Sequence, residues 1–349
     1  MKTKVIEIHS IEEIDKIKEA AEGLKAGELV VFPTETVYGL GANGLDEDAI
    51  AGIFEAKGRP KDNPLILHIA DQEQVLDLVK IIPPIGQDCM DMFWPGPLTL
   101  IMERSKIVPD SITGGLETVA IRMPSHSIAH AILKEAYIPV AAPSANTSGR
   151  PSPTRVEHVL EDMMGKVSII VDGGITDVGI ESTVLDITGE KPVILRPGGI
   201  TKEDLEELLG IEVDTDQATI AAEEGLVPRS PGQKYKHYAP KAEATLFAGN
   251  LTNVAKEVNH RIAKNPSKKT AVLATTETMD MYQGMDLLIN MGSREHLEEV
   301  AQNLFDCLRK CDEEGIEVIY VEGFEFQGLG VGIMNRLLKA CGGKVVLGL

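Results

Sequence analysis

The chain has 349 residues, 43% of them hydrophobic but only 4% aromatic, with 54 acids against 34 bases and a formal net charge of −20. That length suits about two domains with largely aliphatic cores, and no apolar run approaches the ~18 residues of a membrane span. So acidic a chain argues against nucleic-acid binding over its general surface; a polyanion must meet a local positive site.

The opening MKTKVIEIHS lacks the apolar stretch of a signal peptide. Four cysteines without a CxxC pair point to a reducing, cytoplasmic setting rather than to disulfides. Lys4–Ile8 reads as a strand. Ser10, with Glu13 three residues on, predicts a capping box for a helix through about Lys25, with Ile11, Ile14, Ile17, Ala20, Ala21 and Leu24 at helical spacing. Gly27 ends it, and Glu28–Phe32 is a strand. YGLGANG, residues 38–44, contains G-x-G-x-x-G. Pro33 already breaks the strand before it, and no ribose-binding acid follows about 20 residues on, so it reads as a tight loop needing positive φ.

Asp46 caps the next helix, with Ile50, Ile53 and Phe54 inward, and Gly58 stops it. Leu65–Ile69, Leu98–Met102, Val119–Arg122, Val140–Ala142, Ser168–Val171 and Val193–Leu195 read as strands of a mixed sheet. Thr201 caps a helix ending at Gly210. Residues 211–241 read as a linker, acidic at first and then basic in RSPGQKYKHYAPK, residues 229–241. Beyond it, strands Ala244–Phe247, Thr270–Ala274, Asp286–Asn290, Glu317–Glu322 and Lys344–Leu347 alternate with helices Asn253–Lys264, Arg294–Asp312 and Gly332–Ala340. That alternation predicts a second, parallel α/β domain. The expected division is 1–210, 211–241 and 242–349.

EAKGRPKDNPLILHI, residues 55–69, carries Lys57, Arg59 and Lys61 at alternate positions. With Gly58 and Pro60 opposing helix, an extended backbone would set all three on one side, where phosphates suit them. The alternative is a solvated basic loop. His68 lies inside the following apolar strand, as a core residue or a ligand contact. Thr34, Thr36 and Tyr38 alternate in FPTETVYGL and would line one side, with Glu35 and Val37 facing away. Arg122, in the apolar run VAIRMP, needs an internal acid or a substrate carboxylate as partner. VAAPSANTSGRPSPT sets Ser144, Asn146 and Ser152 beyond a buried strand, where ligands favour α/β sheets. GIESTVLDI places Glu181, Ser182 and Thr183 before a strand; VILRPGG places Arg196 at a strand end before a Gly pair that is an anion site or a turn. RSPGQKYKHYAPK alternates aromatics and bases, as a cover over a nucleotide or a plain tether. Cys307 and Cys311, four apart, suit core packing, and GLGVG at 328–332 suits an anion or tight packing. There is no Walker phosphate loop, no nucleophile elbow and no zinc-protease motif.

Together, FPTETVYGLGANG, KGRPKDNPL, FWPGPLTLI, VAIRMP, APSANTSGRPSPT, ESTVLD, LRPGG, SPGQKYKHYAP and GLGVGIMNRLLKA resemble the YrdC-like family, in its longer form with a second domain. The resemblance spans nearly the whole chain in order. It implies a twisted mixed α/β sheet with helices around a deep cavity, plus a smaller Rossmann-like parallel C-terminal domain. It also implies a threonylcarbamoyl-AMP synthase using L-threonine, bicarbonate and ATP, with Mg²⁺ held through the phosphates and tRNA served indirectly by a downstream transferase. Carried over residue by residue, Lys57 and Arg59 act on the triphosphate. Lys61, Asn63, Thr118, Ser144, Asn146, Ser152, Arg196 and Tyr235 join Arg59 in holding ATP. Thr36, His68, Arg122, Ala142 and Ser182 hold threonine. Two rivals are an RNA-binding module using the same basic cavity and a carbamoyl-transfer maturation enzyme. The charge of −20 opposes the first, and the lack of a zinc-finger-like cysteine set opposes the second.

Overall fold

The computed structural model describes residues 2–216, 228–230 and 237–348. The chain divides into two units, residues 1–148 with 152–235, and residues 149–151 with 236–349. The first unit opens β1 (Lys4–Glu7), α1 (Ile14–Lys25), β2 (Val30–Phe32), β3 (Gly39–Asn43), α2 (Glu47–Lys57), β4 (Ile66–His68), α3 (Val75–Leu78) and α4 (Pro84–Phe93). It continues β5 (Leu98–Glu103), α5 (Asp110–Thr113), β6 (Thr118–Arg122), α6 (Ser127–Ala136), β7 (Val140–Ala141) and α7 (Val156–Met163). β8 (Ile169–Asp172), β9 (Thr183–Asp186), β10 (Val193–Arg196), α8 (Lys202–Leu209) and β11 (Asp214–Thr215) complete it. Among the described residues these strands form one twisted, mixed sheet in the order β1-β8-β2-β3-β7-β4-β6-β5-β9-β10-β11. Helix α2 seals one part of it with Ile50, Ile53 and Phe54, all buried.

Three local expectations change. The first helix begins at Ile14 rather than at Ser10, because the Glu13 carboxylate accepts from the His9 and Ser10 amides and closes a separate turn first. Ile11 and Ile14 are consequently exposed instead of facing the core. YGLGANG is a strand, not a positive-φ loop: Gly39 and Gly41 lie in β3, antiparallel to β2. Its glycines serve close packing, since a Cβ on Gly41 would stand 2.6 Å from a Phe32 ring carbon and one on Gly44 2.4 Å from Leu67. Within the span read as linker, Asp214–Thr215 is a strand beside β10.

Asp46 does cap α2, accepting from the Asp48 and Ala49 amides, and Gly58 ends it in the left-handed region. Thr201 caps α8 in a reciprocal box with Asp204, and Gly210 ends that helix likewise.

The second unit runs β12 (Glu243–Ala248), α9 (Leu251–Lys264), β13 (Thr270–Ala274), β14 (Leu287–Asn290), α10 (Leu297–Glu313), β15 (Val318–Glu322), α11 (Leu329–Ala340) and β16 (Val345–Leu347). Its sheet is parallel throughout, ordered β14-β13-β15-β12-β16. Asn250 caps α9 and starts it before the expected Asn253. Cys307 and Cys311 are buried, and desolvation pushes both thiols up to about 12, so they are packing groups. GLGVG is also a packing device, because a Cβ on Gly330 would stand 2.3 Å from the Glu325 carbonyl.

Candidate active site

The sheet register assembles the site. His68 of β4 pairs with Arg122 of β6, Arg122 with Thr99 of β5, and His68 also with Val140 of β7. Aligned residues on neighbouring strands share a face, so His68, Arg122 and Thr99 form one polar row inside an apolar sheet. Thr99 Oγ1 lies 2.8 Å from Ser182 Oγ, which extends the row. Arg196, at the end of β10, donates Nε to the Ser182 carbonyl at 3.0 Å and Nη2 to Ser182 Oγ at 3.1 Å. The first glycine of LRPGG makes this approach possible, since a Cβ on Gly198 would stand 2.4 Å from the Thr183 nitrogen.

Arg122 is 4% exposed and is approached from three directions. Nε donates to the Gly96 carbonyl at 3.3 Å, Nη1 donates to Thr36 Oγ1 at 2.9 Å, and Nη2 lies 2.6 Å from Glu35 Oε1. Thr36 Oγ1 lies 2.9 Å from Thr34 Oγ1, which donates to the Val37 carbonyl at 2.6 Å. The expected alternation along Thr34, Thr36 and Tyr38 does not hold, because residues 34–38 are irregular. Tyr38 turns away to donate to the Gly174 carbonyl, and Glu35 turns inward to Arg122. Burial raises the Glu35 carboxyl, but the Arg122 charge and the amides of Glu35 and Ser125 outweigh it, holding the group below its usual range. His68 Nδ1 lies 3.3 Å from the Ile66 carbonyl. Desolvation, with Arg122 next, lowers His68 to about 3, so the ring is neutral at pH 7.

The cationic run is not extended. Lys57 is the last residue of α2, and the left-handed Gly58 redirects the chain. Lys57 is 2% exposed and donates Nζ to the carbonyls of Asn146, at 2.7 Å, and Ser144. Arg59 is buried and donates Nη2 to the Pro64 carbonyl at 3.0 Å. Lys61 is exposed, so alternate spacing does not put three cations on one side. Asn63 is buried, and its Oδ1 has no hydrogen-bond partner among the described residues. Thr118 opens β6, four residues or about 13 Å of strand from Arg122, at the end of the sheet from which Leu65 leads into β4. Ser152 Oγ donates to Glu181 Oε1 at 2.5 Å. Ala142 is buried beside Gly39. Tyr235 lies outside the described residues.

A cleft of about 890 Å³ reaches Lys57 from the α2 side, past Glu28, Asp48 and Glu55. It contains neither Arg122 nor His68, and its carboxylates disfavour phosphate.

A family model for Sua5, YciO and YrdC, described as "Telomere recombination", matches residues 22–198. The chain belongs to the Sua5/YciO/YrdC family. A second model, "Threonylcarbamoyl-AMP synthase, C-terminal domain", matches residues 200–342. Two members of this family are the threonylcarbamoyl-AMP synthases of Pyrococcus abyssi, 46% identical over 99% of both chains, and Bacillus subtilis, 47% identical over 95% of this chain and 94% of that one. The crystal structure of P. abyssi Sua5 complexed with L-threonine superposes with a TM-score of 0.92, covering 99% of each chain at 46% identity.

Sequence reasoning missed Glu35, Thr99 and the role of Glu181. Strand alternation assigned Glu35 to the outside. A charged residue two positions from a proline, in an otherwise uncharged stretch, was the signal available. Thr99 carried none, being an ordinary strand threonine until its row is known.

Proposed function

We propose that the chain is a threonylcarbamoyl-AMP synthase, converting L-threonine, bicarbonate and ATP to threonylcarbamoyl-AMP and pyrophosphate. The observation that carries this is the polar row His68–Arg122–Thr99–Ser182, in the same unit as the buried cations Lys57 and Arg59. A buried guanidinium suits a carboxylate, and buried cations beside a small-residue loop suit phosphates. The threonine complex of the 46% identical P. abyssi relative supports the amino acid.

Threonine's neutral amine forms a C–N bond to the bicarbonate carbon as a C–O bond breaks, and the lost oxygen leaves as water with the amine proton, giving a carbamate. A carbamate oxygen then bonds to the α-phosphorus of ATP as the bond to pyrophosphate breaks. The difficulty is gathering anions and offsetting charge that grows on phosphorus and on the leaving group. Fixed cations do this with no covalent intermediate. In this proposal Arg122 holds the threonine carboxylate, while Thr36, Ala142 and Ser182 shape the pocket. Neutral His68 contacts threonine through a ring hydrogen bond. Lys57 and Arg59 face the triphosphate, with Lys61, Asn63 and Thr118 assisting. Ser144, Asn146, Ser152 and Arg196 hold the nucleotide, and residues 229–241 cover it with Tyr235.

Among the described residues no group of three or more His, Cys, Asp or Glu could hold a metal ion. Mg²⁺ bound with ATP would take its oxygen ligands from the phosphates and offset their charge. The adenylate passes to a transferase that modifies tRNA. No helix among the described residues is long and apolar enough to cross a membrane.

The test is incubation with ATP, threonine and labelled bicarbonate. Pyrophosphate and a labelled, labile acyl-adenylate are expected together. Their absence, with duplex RNA bound in a steeply salt-dependent way, would favour the RNA-binding alternative.

A further inference from the structure

The Arg122 guanidinium donates Nε to the Gly96 carbonyl and Nη1 to Thr36 Oγ1, and its Nη2 stands at ion-pair distance, 2.6 Å, from Glu35 Oε1. Glu35 is itself held, since its carbonyl accepts from the Val178 amide at 2.7 Å, and its side chain is only 5% exposed. Burying a guanidinium beside an ionised carboxylate leaves the subsite with no net charge. A buried cation without that partner would be far more costly.

The arrangement has two opposing effects on a ligand. It presents an oriented fork, which lowers the ordering cost of binding a carboxylate. It also sets a negative charge beside the fork, which repels a carboxylate. An ammonium carboxylate carries no net charge, so the Glu35 charge beside the fork does not repel it overall while its carboxylate meets Arg122. A simple carboxylate of the same shape meets the repulsion uncompensated.

We infer that Glu35 is a positioning residue that sets the amino-acid selectivity of the threonine subsite. It acts through Arg122, orienting the guanidinium and balancing its charge so that zwitterions are favoured over anionic hydroxy acids. This rests on Arg122 holding the threonine carboxylate, as proposed above.

The test uses the full chain as wild type, Glu35→Gln and Glu35→Asp. Calorimetry measures binding of L-threonine, of the hydroxy-acid analogue with hydroxyl in place of the amino group, and of ATP. Thermal melts run in parallel. In Glu35→Gln the ratio of threonine to hydroxy-acid affinity should fall about tenfold or more, equivalent to about 1.4 kcal/mol, with ATP affinity within about twofold. Glu35→Asp, which keeps the charge, should recover most of the ratio. Equal losses for both ligands would mean a purely structural role and overturn the inference, as would an unchanged ratio. If Glu35→Gln does not fold, Glu35→Ala takes its place: a ratio about tenfold or more below wild type supports the inference and an unchanged one sinks it. Failure of the wild type to form adenylate would count against the enzymatic reading. The binding ratios would still judge Glu35.

Discussion

Lys57 Nζ donates to the main-chain carbonyl of Asn146 at 2.7 Å, joining residues 89 positions apart. The last residue of α2 therefore holds the loop that carries Ser144 and Asn146. The same ammonium is proposed to face the triphosphate, so it ties loop position to charge position. Lys57→Ala should cut pyrophosphate release by at least ~100-fold, the scale of losing a transition-state charge contact. It should also lower stability by about 1.5–3 kcal/mol, the range for hydrogen bonds to charged groups. Arg59→Ala should match the kinetic loss. Near-normal turnover in both variants would remove them from the triphosphate site.

Gly41 gives a purely structural prediction. An added methyl would meet the Phe32 ring at 2.6 Å and the Val30 carbonyl at 2.9 Å, and neither is the end of a flexible side chain. Gly41→Ala should destabilise by about 1–3 kcal/mol through overpacking. The denaturant midpoint should shift while its slope stays constant. Were the glycine present for loop flexibility, alanine would instead be neutral or stabilising.

The misreading of that glycine shows what a sequence displays and what it hides. Asp46 and Thr201 were legible as caps because capping is local chemistry between a side chain and amides two or three residues on. The parallel second domain was legible because its strands and helices alternate with clear periodicity. G-x-G-x-x-G looked like a loop because glycine's need for positive φ and its need for close approach leave the same letter. Only the partner strand, with Phe32 against Gly41, distinguishes them. Arg122 was legible as a buried cation wanting a partner. Its partner Glu35 was not, because an irregular turn after Pro33 breaks the period of two on which facing was judged. Lys57, Arg59 and Lys61 failed for a similar reason: α2 runs one residue into the cluster, so their spacing crosses from helix to loop.

Two buried ionisable groups beside Arg122, His68 and Glu35, make stability fall with acid. His68 has a folded pKa of about 3 against an ordinary value of 6.5, so the unfolded chain takes up that proton first. The contribution of neutral His68 is fully present above about pH 6.5 and is lost toward pH 3, by up to ~1.4 kcal/mol per pH unit. Glu35 is lowered from 4.5, so its contribution is present above that value and is lost as pH falls through its folded pKa. The charged or titratable groups facing this pair are Arg122 and, toward Glu35, His126. Chemical denaturation between about pH 7 and 5 should show the decline, and His68→Gln should flatten it there. A wild-type profile already flat across that interval would contradict the buried, neutral histidine.

Arg122→Lys asks whether the fork or the charge matters. Lysine keeps the charge but cannot reach Gly96, Thr36 and Glu35 together. The KM for threonine should rise about tenfold or more, with the KM for ATP little changed. A loss confined to ATP would mean that Arg122 serves the nucleotide.

The cover proposed over the nucleotide is anchored on each side by residues that can be kept while its middle is changed. Arg229 pairs through Nη1 with Asp186 at 3.2 Å and through Nη2 with Asp216 at 2.5 Å. Tyr238 is buried, with its ring 5.1 Å from that of Phe305. Replacing residues 231–236 by glycine and serine of equal length keeps both anchors and removes the bases and Tyr235. Affinity for a non-hydrolysable ATP analogue should drop about tenfold, the worth of roughly one charge-assisted contact. Threonine affinity measured without nucleotide should hold within about twofold, because Arg122, His68 and Ser182 are untouched. Unchanged nucleotide affinity would reduce the segment to a tether, and equal losses for both ligands would mean that it supports the whole pocket rather than covering ATP.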